Sequence, residues 1–278
     1  MRFYIVDVFA LRKYTGNQLA VFRDASKLSE KEMQEIAKEM NYSETTFITS
    51  EDDFEVRIFT PEKEVPFAGH PVLGTAFVIM EEILDKAEEV ELKLKIGKIR
   101  VWKERDVLWM RQSSPKFGKV FSPQEISKVL GIGEEEIDEK FPIQEVSTGL
   151  PFIIVPLKSL ESLKKIKVNV DELYKIVEDC EAKAILAFSP ETRSEDNDLS
   201  VRVFAHYYGV PEDPATGSAN GCLAAYLSKY EYFGSDEVNI KVEQGYEVGR
   251  PSLLFLRAKG EKVEIGGKVI MIAKGNFV

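Results

Sequence analysis

At 278 residues and about 150 residues per domain, the chain is expected to form two domains, with one as the fallback. Its 37 basic and 47 acidic residues give a net charge of -10, which argues against nucleic acid as a partner. A hydrophobic content of 44% is enough for a packed core. Two Cys and two His exclude a disulfide framework and a zinc site of Cys and His, and leave acid–base work mainly to carboxylates.

β-Branched and apolar runs predict strands near 2–9 and 18–22. Ser29-Glu30-Lys31-Glu32 reads as a capping box. Met33, Ile36, Ala37 and Met40 follow at helical spacing, with Asn41 as the stop. Strands are expected near 45–49 and 54–60. A second helix then takes Pro71 in its first turn and runs to about 84. Further strands are expected near 90–95, 99–103 and 107–111. The stretch 115–135 carries a small helix capped by Ser122, with Pro123 and Glu125 behind it. The remaining strands lie near 143–147, 152–156, 184–188, 199–205, 238–243, 252–258, 262–266 and 269–273. Helices are expected over 170–179 and from Ser218 to Lys229.

This order repeats: two strands, helix, two strands, helix, several strands. Val56-Arg57-Ile58-Phe59 matches Val201-Arg202-Val203-Phe204, an offset of 145 (202 minus 57). Pro66 and Gly69-His70 match Pro214 and Gly217-Ser218, an offset of 148 (214 minus 66). A duplicated half of roughly 140 residues accounts for both, and short connections favour mixed sheets over a doubly wound parallel one. The expected fold is α+β: two pseudo-symmetric halves, 1–114 and 115–278, each a mixed sheet wrapped around a central helix. The last strand is free to return to the first half, and the halves are expected to face each other across a cleft.

Both repeated turns open a helix with a Gly followed by a polar residue. A helix start offers unpaired N–H groups and the positive end of a dipole, which suits a small carboxylate-bearing substrate. In the second turn, Asp213 reads as a base, a positioning acceptor or only a loop-stabilising residue. Glu44, between a helix end and an apolar strand, is the other candidate carboxylate. Phe67, Tyr42 and Phe47 are candidate walls that would dehydrate it. Cys180 and Cys222 read as small core residues, and His206 as a structural or surface residue.

The chain resembles the PhzF-like (phenazine biosynthesis) isomerases, which share the diaminopimelate epimerase fold. The resemblance rests on Asp7-Val8-Phe9 with Gly16-Asn17, on Ser43-Glu44-Thr45-Thr46-Phe47, and on Arg57 to Pro61 leading into Glu64 to Pro71. It continues through Ser147 to Pro151, Glu212 to Ala219, and Gln244-Gly245 with Gly249 to Ser252. It implies a homodimer needing no cofactor and no metal, and isomerisation by general acid–base proton transfer, as on a dihydro-hydroxyanthranilate. It places Glu44, His70 and Asp213 as catalytic residues, and Asn17, Gly69, Gly217 and Ser218 as substrate-binding residues. Gln18 departs from it, since Pro commonly follows Gly-Asn in the family. The two thiols of the related epimerases would fall near Ala68 and Pro214, so a two-thiol racemase is disfavoured. An amino-acid or hydroxy-acid epimerase using Glu44 and Asp213, and a silent ligand-binding protein, remain as alternatives. With Asp7 early in the chain and no apolar run near the ~18 residues of a membrane span, a cytoplasmic protein without membrane or nucleic-acid partners is expected.

Overall fold

The computed structural model describes residues 1–278 and divides them into two compact units. One comprises Met1–Arg111 with Gly266–Val278; the other comprises Gln112–Ile265. No helix is long and apolar enough to cross a membrane.

The first unit contains β1 (Arg2–Val8), β2 (Asn17–Phe22), α1 (Glu30–Met40), β3 (Thr45–Ser50), β4 (Glu55–Phe59), β5 (Glu64–Val65), α2 (Gly69–Glu82), β6 (Glu89–Leu94), β7 (Gly97–Glu104) and β8 (Val107–Arg111). The second contains β9 (Lys116–Phe121), α3 (Pro123–Leu130), β10 (Ile143–Ser147), β11 (Pro151–Pro156), α4 (Leu160–Lys165), α5 (Val170–Glu178), β12 (Ile185–Ser189), β13 (Leu199–Ala205), β14 (Val210–Asp213), α6 (Gly217–Lys229), β15 (Glu237–Gln244) and β16 (Ser252–Lys259). After β17 (Lys262–Gly267), β18 (Val269–Asn276) returns to the first unit and pairs antiparallel with β1.

The ladders run in the same order in both units. β1 pairs antiparallel with β2, β2 parallel with β3, and β3 antiparallel with β4; β5 lies on β4, and β6 joins β4 in parallel. The second unit repeats this with β10 to β15. The parallel pairs require crossovers, supplied by α1 and α2 in one unit and by α4, α5 and α6 in the other. Each unit is therefore a mixed sheet, as the repeat led us to expect.

The two repeat helices carry no charged residue before their last two positions, and so belong inside. Eleven of the fourteen α2 residues and twelve of the thirteen α6 residues are buried. In the first unit, α2 packs on the face formed by Val6, Val8 and Leu19: a Cβ added at Gly74 would lie 2.5 Å from Leu19 Cδ2 and 2.9 Å from Val8 Cγ2. Strand side chains alternate faces, so Ala20 and Phe22 point the other way. There they join Met33 and Ala37 of the amphipathic α1 together with Phe47 and Phe59. In the second unit, α3, α4 and α5 cover the corresponding face through Ile126, Leu163 and Leu173.

Local signals set the helix ends. Ser29 and Ser122 close capping boxes with Glu32 and Glu125, and Asn41 ends α1 in the left-handed conformation. α2 begins at Gly69, so Pro71 is its third residue, within the first turn. Short elements escaped the sequence reading: β5, β9, β14 and α4 are too brief or too polar to show a period.

Candidate active site

Within the first unit, Glu44 sits immediately before β3 and His70 is the second residue of α2. Glu44 Oε2 lies 3.6 Å from His70 Nε2; the two side chains are 19% and 5% exposed. A hydroxyl pair beneath them holds this spacing: Thr46 and Thr75 are both fully buried and bonded at 2.8 Å, tying β3 to α2. Thr46 and Glu44 share a strand face, because they are two residues apart.

The tautomer of His70 follows from its partners. Burial pushes its pKa down to about 3, against a hydrogen bond to the Gln18 backbone that favours the charged form. His70 is therefore neutral near pH 7. Since Nε2 makes no hydrogen bond, Nδ1 is the atom that donates to Gln18, and Nε2 presents a lone pair toward the Glu44 carboxyl. A protonated Glu44 can donate to that lone pair. The bond uses the Gln18 backbone carbonyl, so it does not draw on the side chain that departs from the family pattern.

Asn17 opens β2, is 2% exposed and stands opposite Val8 in the ladder. Gly16 before it has φ +74°, and a Cβ there would lie 2.3 Å from the Val8 carbonyl oxygen, so the turn that delivers Asn17 needs glycine. Phe47 does not wall Glu44. It is one residue out of phase with Thr46, and its ring stacks on Phe22, 5.3 Å between centroids, on the α1 side of the sheet.

Within the second unit, Asp213 ends β14, while Gly217 and Ser218 begin α6. The helix caps before Gly69 and Gly217, Ala68 and Thr216, make no side-chain capping bond, so neither side chain occupies the N–H groups of these helix starts. Asp213 Oδ2 accepts from Thr216 Oγ1 at 2.5 Å. Gln244 joins this turn from β15: its Nε2 donates to the Asp213 carbonyl at 2.8 Å and to Thr216 Oγ1 at 3.0 Å. Thr216, Asn220 and Gln244 were not singled out as site residues from sequence, although laying one repeat on the other at the offset of 148 pairs Thr216 with Ala68 and Asn220 with Val72.

The strand registers extend the repeat. Arg57 faces Phe47 and Arg202 faces Ala187, so Glu44 corresponds to Ala184. Ile58 faces Val65 and Val203 faces Asp213, so Asp213 corresponds to Val65. Each half thus carries one of the two carboxylates, on different elements.

The thiols lie apart from both turns. Cys222 is fully buried and donates to the Leu150 carbonyl; burial pushes its pKa up to about 11. Cys180 is half-buried, donates to the Ala182 carbonyl, and is also raised by burial. Neither is a thiolate near neutral pH.

A family model described as "Phenazine biosynthesis-like protein" matches residues 6–275. The chain belongs to this family of isomerases. It is 35% identical to a trans-2,3-dihydro-3-hydroxyanthranilate isomerase of Pseudomonas chlororaphis, over 99% of each chain. The solved structure of a Bacillus anthracis phenazine biosynthesis protein of the PhzF family matches with a TM-score of 0.91 and 28% identity, covering 100% of this chain and 99% of that one. A probable proline racemase of Agrobacterium radiobacter matches with a TM-score of 0.63 at 8% identity, covering 100% of this chain and 92% of that one, which shows a shared fold and no more. The fold is that of the diaminopimelate epimerase-like proteins.

Proposed function

We propose that this isomerase moves a proton between two carbons of a small, unsaturated, carboxylate-bearing substrate of the dihydro-hydroxyanthranilate kind, with Glu44 as the acid–base residue. The observation that carries this reading is the Glu44–His70 pair, a carboxyl turned toward a neutral buried imidazole at 3.6 Å. Its relatives named trans-2,3-dihydro-3-hydroxyanthranilate isomerase support the substrate class.

In this reading the Glu44 carboxylate takes a proton from a carbon flanking the substrate's conjugated system. The C–H electrons form a new C=C bond, the adjacent double bond shifts, and the proton returns at the far carbon. One proton leaves and one enters, so the balance calls for no cofactor or metal. The neutral His70 accepts from protonated Glu44 and holds it between the two transfers. Asp213 is the second acid–base group. Asn17, Gly69, Gly217 and Ser218 bind substrate, the helix starts serving its carboxylate. A cytoplasmic homodimer completes the proposal, and light scattering on the purified protein tests the dimer.

The deciding experiment offers trans-2,3-dihydro-3-hydroxyanthranilate in D2O to the wild type and to Glu44→Gln. Isomerised product with deuterium at the receiving carbon, absent with the variant, supports the proposal; unchanged turnover by the variant overturns the role of Glu44. The fold shared with a proline racemase favours testing an epimerase as the second reading. Wash-in at a saturated stereocentre with no double-bond shift would select it. Binding with no exchange at all would leave a silent ligand-binding protein.

A further inference from the structure

We infer that Thr216 and Gln244 are positioning residues for the isomerase reaction, holding Asp213 through a polar network that the fold itself does not require; this rests on the function proposed above.

Every polar atom of the Gln244 amide, 1% exposed, is engaged. Oε1 accepts from the Thr216 backbone N–H at 3.1 Å and from Asn220 Nδ2 at 2.9 Å. Nε2 donates to the Asp213 carbonyl and to Thr216 Oγ1. Only one orientation of the amide satisfies this set, because the flipped one would set a donor against the Thr216 N–H and an acceptor against the Asp213 carbonyl. The direction of the next bond follows. An amide nitrogen only donates, so Thr216 Oγ1 accepts from Gln244 and its single proton goes to Asp213 Oδ2, at 2.5 Å. The chain Gln244 to Thr216 to Asp213 therefore fixes the rotation of the Asp213 carboxylate about its Cβ–Cγ bond.

The first unit is the internal control. Its strand ladders align Asp213 with Val65, and Glu55 opposite Lys93 with Ser200 opposite Glu243, so Gln244 corresponds to Leu94. Thr216 and Asn220 correspond to Ala68 and Val72, by their places around Gly217 and Gly69. The same strand, turn and buried helix thus form in one unit from Val65, Ala68, Val72 and Leu94, and in the other from Asp213, Thr216, Asn220 and Gln244. Burying amides and hydroxyls is costly unless every group is paired, and Asn220 Oδ1 is buried with no hydrogen-bond partner. A set that the turn does not need, kept with one acceptor unsatisfied, points to a demand outside folding, and the functional group it touches is Asp213.

The test is a set of variants assayed with trans-2,3-dihydro-3-hydroxyanthranilate. Gln244→Leu and Thr216→Val are expected to lower kcat about 10²-fold with KM within about threefold, the scale of a misplaced group. Thr216→Ser, which keeps the hydroxyl, is expected to return kcat to within about threefold of wild type. The combined Thr216→Ala, Asn220→Val, Gln244→Leu protein, carrying the first unit's residues, is expected to fold and to remain impaired. Wild-type kcat in the combined protein, or a Thr216→Ser protein as impaired as Thr216→Val, overturns the inference. An arm independent of turnover separates it from the function itself. Crystal structures of wild type and Gln244→Leu are expected to show the Thr216 Oγ1 to Asp213 Oδ2 contact opened beyond 3.5 Å in the variant. A retained contact refutes positioning whether or not the substrate assignment is right.

Discussion

Arg202 grips Glu212 with two parallel hydrogen bonds, Nε to Oε1 at 2.9 Å and Nη2 to Oε2 at 2.7 Å. Arg57 holds Glu64 in the same way in the first unit, at 2.8 and 2.5 Å. Each pair ties a strand to the hairpin that leads into a buried helix, Glu64 five residues before Gly69 and Glu212 five before Gly217. The arginine-bearing strands of the repeat thus brace the turns from within.

The two braces are predicted to differ in strength. Arg202 is 9% exposed and its Nη1 also donates to the Leu163 and Ile166 carbonyls at the end of α4. Arg57 is 23% exposed, and the carboxylates of Glu64 and Glu30 are its partners. Lysine cannot reproduce a bidentate fork. Arg202→Lys should therefore cost about 2–4 kcal/mol and Arg57→Lys about 1 kcal/mol. Urea unfolding of both variants checks the order; equal losses would contradict it.

Glu44→Gln keeps size and removes the base. Turnover is predicted to fall at least about 10³-fold, while the melting temperature stays within a few degrees of wild type. Steady-state assay and calorimetry on the same preparation read both quantities.

The buried His70 predicts a pH dependence of stability. Its pKa of about 3 in the folded chain lies below the ordinary 6.5, so the unfolded chain binds the proton first as pH falls. Its contribution is intact above pH 6.5 and is lost by up to about 1.4 kcal/mol per unit from there toward pH 3. Unfolding free energies between pH 4.5 and 6.5 should fall more steeply for wild type than for His70→Asn. Parallel slopes would mean that His70 is not buried neutral.

Gly245 follows Gln244 with φ +80°, and a Cβ there would lie 2.4 Å from the Pro214 carbonyl oxygen. Gly245→Ala should cost at least about 2 kcal/mol and reduce kcat, because the strained contact falls on the residue after Asp213. A variant as stable and active as wild type would disprove the contact.

Thiol chemistry is predicted to be silent. Cys222 is fully buried with its pKa near 11 and Cys180 is raised as well, so iodoacetamide at pH 7.5 should leave turnover intact. A tenfold loss that substrate prevents would restore the thiol alternative.

Much of the fold was legible in the chain because its signals are local. The Ser29 and Ser122 capping boxes and the alternation in β15 depend only on near neighbours. The two repeat helices announce themselves by carrying no charged residue before their last two positions. The site was legible only in part. Glu44 carries no periodic mark among so many glutamates, and its candidacy came from motif resemblance rather than from spacing. Phe47 shows the limit from the other side: it adjoins Glu44 in sequence, yet strand alternation sends it to α1.

By itself the sequence determined the longer elements, the duplication and the scarcity of Cys and His that argues against a disulfide framework or a Cys/His zinc site, since each is a matter of composition and of residues a few places apart. Tertiary structure alone decided that Glu44 meets a His70 kept neutral by burial, and that Gln244 reaches Thr216 from 28 positions away. Those contacts depend on strand register and burial. Both are set by how the whole sheet packs on its helix, and neither leaves a trace in the spacing of the residues concerned.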